Sequence, residues 1–215
     1  YEGTQYWIAG AQYNFNAVAP KTNGGWTKTA ADAASTTLSF VNNGTTDLLY
    51  ARSEEDIEGK ATGNGPVNFT FDHLLSKVKF TFTNGFTNPN MYIDVKNVRI
   101  VNAPKAGSIN LAVENWWDNN EDWVNLPENN DLTLAFGGVK ALEAGASAEA
   151  DDERLTIPAS AERQYVVNFD VVVYSGDVPT EFHKTATIKD IAFEMGKAYN
   201  LKATINHETL NLEEI

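Results

Sequence analysis

The residues able to do chemistry are scattered along this chain. His73, His183 and His207 are its three histidines, and none lies in an H-x-H or H-E-x-x-H spacing that would aim two imidazoles at one metal. His73 stands among leucines in an apolar run, where a hydrogen-bonded structural role is the ordinary one for histidine. The absence of cysteine excludes disulfides, thiolate zinc sites and cysteine nucleophiles together. No serine sits in a G-x-S-x-G elbow. The glycine-rich stretches TNGGW and GKATGNG lack the Gly-Lys-Ser/Thr ending and the helix start that cradle a phosphate. Glu54, Glu55, Asp56 and Glu58 crowd together, but without the alternating D-x-D-x-D-G spacing that turns carboxylates onto calcium, so they read as a solvated loop. Carboxylates are numerous enough for a glycosidase pair, yet no two of them are marked out as sharing a cleft. These residue types predict no catalytic centre, no metal and no cofactor.

The best small-molecule candidate is aromatic. In ENWWDNNEDWVN, Trp116, Trp117 and Trp123 stand beside Asn119, Asn120 and Asn125. Indole faces with amides nearby are the surface a sugar ring needs. The competing reading is that one or two of these rings plug the end of a β-sandwich, as large apolar rings commonly do.

Composition narrows the partners. The chain has 215 residues, 42% hydrophobic and 11% aromatic, enough for a real core and comfortable for two sandwiches. Its net charge is -13, from 16 basic and 29 acidic residues, which argues against nucleic acid or an anionic membrane surface, since both require a basic face. No stretch reaches the roughly twenty apolar residues of a membrane span. The chain opens on Tyr1 without a signal peptide, so a mature or trimmed product is expected.

The elements that position these residues read as strands. Val67 to Phe82 is the strongest signal: Val67, Phe69 and Phe71 lie on odd positions, and Leu74, Val78, Phe80 and Phe82 on even ones. Strand side chains alternate with period two, so the slip requires a bulge near Asp72-His73-Leu74 or a bend there from one sheet to another. One long, bent central strand is expected. Tyr13, Phe15 and Ala17 open a first strand, and Leu38–Val41, Asp47–Ala51, Ser108–Val113, Leu132–Phe136, Gln164–Gly176, Phe182–Ile188 and Lys197–Ile205 follow. Asn43-Gly44 and Glu194-Met195-Gly196 read as turns, and a bulge near Asn97 reconciles the parities of MYIDVKNVRI. KALEAGASAEADDERL reads as a loop. About a dozen strands, no helix and short connections predict an all-β, antiparallel sandwich fold.

Phe71-Asp72-His73-Leu74-Leu75-Ser76-Lys77-Val78-Lys79-Phe80 resembles the fimbrillin family of Bacteroidales surface proteins, the pilins of type V pili and their lipoprotein relatives. YWIAGAQYNFNAVAP at 6–20, DLLYA at 47–51, LTIP at 155–158 and GKAYNL at 196–201 are similar to further family stretches, in family order. The resemblance implies two tandem transthyretin-like antiparallel β-sandwich domains, 1–88 and 89–215. It implies a fimbrial subunit or cell-surface adhesion protein, made as an outer-membrane lipoprotein precursor and joined to other pilin subunits by strand addition. The expected polymerisation interface uses Tyr13 and Phe15 with the alternating tail Leu210, Leu212 and Ile215. The alternative is a carbohydrate-binding surface lipoprotein that holds host or bacterial glycans at Trp116, Trp117 and Trp123.

Overall fold

Ser76–Asn84 shows local sequence dictating structure directly: every second residue of SKVKFTFTN is buried, as a strand with one face on a core requires. The structure, a computed structural model, describes residues 6–22, 24–30, 36–53, 57–111, 123–125, 131–159, 161–176 and 178–209. Among these, 18 strands and no helix occur. In chain order they are β1 (Gln12–Tyr13), β2 (Asn16–Ala19), β3 (Trp26–Ala30), β4 (Thr36–Val41), β5 (Leu49–Arg52), β6 (Ile57–Glu58), β7 (Asp72–His73), β8 (Ser76–Asn84) and β9 (Met91–Pro104). The second half carries β10 (Ala106–Asn110), β11 (Trp123–Asn125), β12 (Asp131–Ala135), β13 (Val139–Glu143), β14 (Ser147–Glu149), β15 (Arg154–Thr156), β16 (Arg163–Ser175), β17 (Val178–Ile191) and β18 (Ala198–Ile205).

Two apolar cores hold these strands. In the larger, β8 is flanked by β14 and β15 on one edge and by β18 on the other. The second sheet of that core runs β9–β16–β17, with β12 and β13 both on the outer edge of β9. Val78, Phe80 and Phe82 from β8 meet Ile93, Val95 and Ile100 from β9 and Val167, Phe169 and Val171 from β16. The smaller core joins the sheet β11–β10–β4–β3 to the sheet β2–β5–β7, through Leu38, Phe40, Leu48, Tyr50, Ile109, Leu111 and Trp123. Neither core ends at residue 88, because Phe80 and Phe82 share one with 91–205, while Ile109 and Trp123 return to the other.

The expected long strand over Val67–Phe82 is two strands in two sheets. Residues 67–71 belong to no strand, β7 pairs with β5, and β8 enters the larger sandwich. Between them Leu74 and Leu75 are both buried, in the smaller core. The crossing is tied down by Leu74 N–H to Leu48 O (2.9 Å), Gly196 N–H to Leu75 O (3.1 Å) and the Ser76 hydroxyl to Glu194 O (2.6 Å). Two consecutive buried leucines are what a switch between sheets produces, and they account for the parity slip. His73, just before the crossing, is exposed and bonds Asp47 Oδ2 at 2.6 Å.

Three further expectations change. The 140–155 loop contains β13, β14 and β15, whose poor intrinsic β-propensity is overridden by ladder positions on β9 and β8. The opening strand is split, because β1 pairs with β6 while β2 pairs with β5. One pairing is parallel: β18 lies beside β8 over eight residues, Ala198 opposite Lys77 through Ile205 opposite Asn84. So long a chain separates the two that no short connection is needed.

Candidate functional site

The larger sandwich is open along one side among the described residues. Among the described residues no strand pairs with the outer edge of β17 or of β18. Between these edges lies an apolar groove of about 210 Å³, lined by Phe80, Phe82, Val167, Phe169, Ala186, Ile188, Leu201, Lys202 and Ala203. On β18 the inward residues Tyr199, Leu201 and Ala203 are only half-buried, although they pack against the core. Ile188 and Phe182 on β17 are half-buried in the same way. Strand alternation places these side chains correctly, but among the described residues no neighbouring strand covers them. Lys184 occurs at an inward position of β17, opposite Phe169, with its ammonium 6.0 Å from the Phe182 ring. A charge on the inward side of an edge strand hinders uncontrolled pairing.

The outer face of β9, β16 and β17 carries a polar ladder. Register sets Lys96, Asp170 and His183 side by side across three strands. His183 Nδ1 lies 2.7 Å from Asp170 Oδ1, Asn97 Nδ2 donates to Asp170 Oδ2 at 2.6 Å, and Lys96 Nζ is 2.9 Å from Glu181 Oε1. The Asn97 hydrogen bond, followed by His183, holds the Asp170 carboxyl below its ordinary value. Hydrogen bonding to Asp170 raises the imidazole of His183, and Glu181 raises Lys96. Asp170, Glu181 and His183 offer ligand atoms within 4.8 Å of one another, the geometry that could hold a metal. Each of the three already has a protein partner, and Lys96 would oppose a cation, so the ladder is self-satisfied electrostatically. Sequence spacing could not reveal it, since Lys96, Asp170 and His183 meet only through strand register.

The aromatic expectations fare differently. Trp123 is fully buried in the smaller core, where its ring has no face free to stack on a sugar. Trp116 and Trp117 lie outside the described residues, as do Leu210, Leu212 and Ile215 of the expected interface and Glu54, Glu55 and Asp56 of the acidic loop. Tyr13 and Phe15 stack on each other at 6.1 Å, and Trp7 sets its ring edge-on to both at 4.9 and 5.6 Å. They form a local cluster near the β1–β6 ribbon, separate from the groove between β17 and β18.

Comparison with known proteins bears on the fold and the family. A candidate cell adhesion protein of Bacteroides ovatus superposes with a TM-score of 0.53 at 16% identity, over 95% of this chain and 68% of the other. A candidate cell adhesion protein of Bacteroides uniformis gives 0.48 at 18% identity, over 92% and 68%. At such identities the first likeness concerns the fold alone. Among curated proteins none matches. The sequence pattern of the fimbrillin-like family, however, matches residues 1–215, the whole length, in agreement with the Phe71–Phe80 stretch and the all-β sandwich. The chain belongs to the fimbrillin-like family.

Proposed function

We propose that the chain is a fimbrial subunit or fimbrillin-like adhesion protein of the cell surface, exported as an outer-membrane lipoprotein precursor, that joins other subunits by strand addition and performs no catalysis. Family membership and the likeness to candidate cell adhesion proteins support the adhesive class. The observation that carries the assembly mode is the apolar groove between the unpaired edges of β17 and β18. An unpaired edge offers a row of backbone donors and acceptors, and half-buried Ile188 and Leu201 beneath it gain burial when a strand arrives. The tail of the chain, where Leu210 and Leu212 share one strand face and Ile215 closes the run, offers an apolar donor segment for the groove of a second copy. Such a contact is heterologous and builds open filaments.

The domain organisation follows the cores. We infer two sandwich units of transthyretin-like type, exchanged at Leu75–Ser76, with β10 and β11 returning to the first unit rather than a single cut at 88.

Because the chain has no cysteine, paired single cysteines test strand addition cleanly. Ile188→Cys and Leu212→Cys variants, mixed and oxidised, are expected to give a mixed disulfide between copies. Val178→Cys, at a position 71% exposed, serves as the random-encounter control. A yield from Ile188→Cys no higher than that control overturns the groove as acceptor.

A further inference from the structure

A second recess, of about 670 Å³, opens where β9 exchanges β12 for β13 as its edge partner. It shares no lining residue with the groove, so a ligand held there would be independent of strand addition. Two left-handed residues stand at it: Asn97, at φ 54° in β9, lines it, and Ala141, at φ 48° in β13, follows its lining residue Lys140. The first turns Lys96 and Asn97 outward together, although neighbours in a regular strand face opposite ways. The second is an alanine without a polar side chain to ease the conformation. The Ala141 amide instead donates to Asp94 Oδ1 at 2.7 Å. Gly138 forms the back wall, where a Cβ would lie 1.9 Å from Val95 O. Strain retained at the rim of a recess is a recurrent mark of a ligand site.

The charges are also unusual. In a chain of net charge -13, Lys96, Arg99 and Lys140 all line this recess. Lys96 is engaged by Glu181, but among the described residues neither Arg99 nor Lys140 has an ion-pair or side-chain hydrogen-bond partner. Of its three acids, Asp94 is fixed by the Tyr174 hydroxyl (3.0 Å) and the Ala141 amide and Glu149 is paired with Lys79 (2.6 Å), whereas Asp151 keeps a free carboxylate among the described residues. Beside Asp94, Tyr92 and Tyr174 stack at 4.5 Å and 8°, and Tyr92 is exposed.

We propose that this recess binds an acidic saccharide, its carboxylate between Arg99 and Lys140, its hydroxyls donating to Asp151 and Asp94, and an adjoining ring against Tyr92. The volume falls within the roughly 300–1,000 Å³ of small-molecule sites. A dianionic phosphate would meet Asp94, Glu149 and Asp151 in the same space. A sugar acid brings one negative charge and several hydroxyl donors, which matches two free cations beside two acceptors.

Isothermal titration of the intact chain at low salt tests this with four probes: trigalacturonate, its methyl ester, sialyllactose and lactose. The expected result is saturable binding of at least one acidic probe, with its neutral counterpart about tenfold weaker or more. A response to one acid alone identifies the class as uronic or sialic. Arg99→Ala and Lys140→Ala are each expected to weaken binding about fivefold or more, since both groups are exposed and their loss leaves the fold intact. Lys60→Ala, on a remote exposed loop, is expected to leave it unchanged. No saturable heat with any probe, equal binding of acid and ester, or full binding by the Arg99→Ala, Lys140→Ala double variant each overturns the proposal.

Discussion

Asp170 and His183 show how an exposed pair still acquires a defined pH response. Asp170 titrates below its ordinary range because Asn97 and then His183 hydrogen-bond its charged form, and Asp170 in turn raises His183. Glu181 and Lys96 face the same imidazole with opposite effects. The signs follow from linkage. The contribution of His183 is fully present below its ordinary value of 6.5 and is lost as pH rises through the raised folded value. That of Asp170 is present above its ordinary 3.8 and is lost as pH falls through the lowered one. His183→Gln is therefore expected to destabilise more at pH 5.5 than at pH 8.5, by an amount limited by solvent screening. Thermal melts at the two values check this, and a pH-independent difference would show that the pair adds no charge-dependent stability.

At the scale of elements, β17 carries a conflict that its neighbours do not. Its inward positions read Phe182, Lys184, Ala186 and Ile188, so one charge interrupts an otherwise apolar face. Within a fully covered strand such a lysine would be expelled or paired. On this edge it stays half-buried, with its ammonium 6.0 Å from the Phe182 ring. Lys184→Ile is expected to stabilise the fold by about 1 kcal/mol through added apolar burial, and at the same time to promote self-association. Melting and light scattering over a range of concentrations measure both effects. A variant no more stable and no more associated than the parent would deny Lys184 a guarding role.

For the whole molecule the decisive feature is the pair of cores connected at Leu75–Ser76. Leu48 is fully buried in the smaller core and Phe169 nearly so in the larger. Leu48→Ala is expected to cost about 2–4 kcal/mol. If the cores are separate cooperative units, native-state hydrogen exchange will show β4 and β5 losing protection while β16 keeps its own, and Phe169→Ala will reverse the pattern. Uniform loss across all strands in either variant would mean that the cores unfold as one.

What the sequence determined by itself was local. Alternation in SKVKFTFTN and QYVVNFDVVVY specified β8 and β16 and their buried faces, because period two is imposed by strand geometry whatever the partner. The same rule exposed the slip at His73–Leu74 and the bulge at Asn97, since a change of parity demands a break in the ladder. The family was legible in the short runs at 6–20, 47–51, 71–80, 155–158 and 196–201. Tertiary structure alone decided which strands meet. Nothing in Lys197–Ile205 announces a parallel partner in β8, and nothing in the stretch Lys140–Leu155, rich in alanine and glutamate, announces three strands. A sugar platform and a core plug were both open to Trp123 in the sequence, until β11 paired with β10 and buried it. Arg99 and Lys140 gained their significance in the same way, through long-range register on β9. Strand pairing joins residues a hundred positions apart at a loop-closure cost almost indifferent to their identity, so the choice of partner rests on the sum of the buried faces and is not written in any one segment.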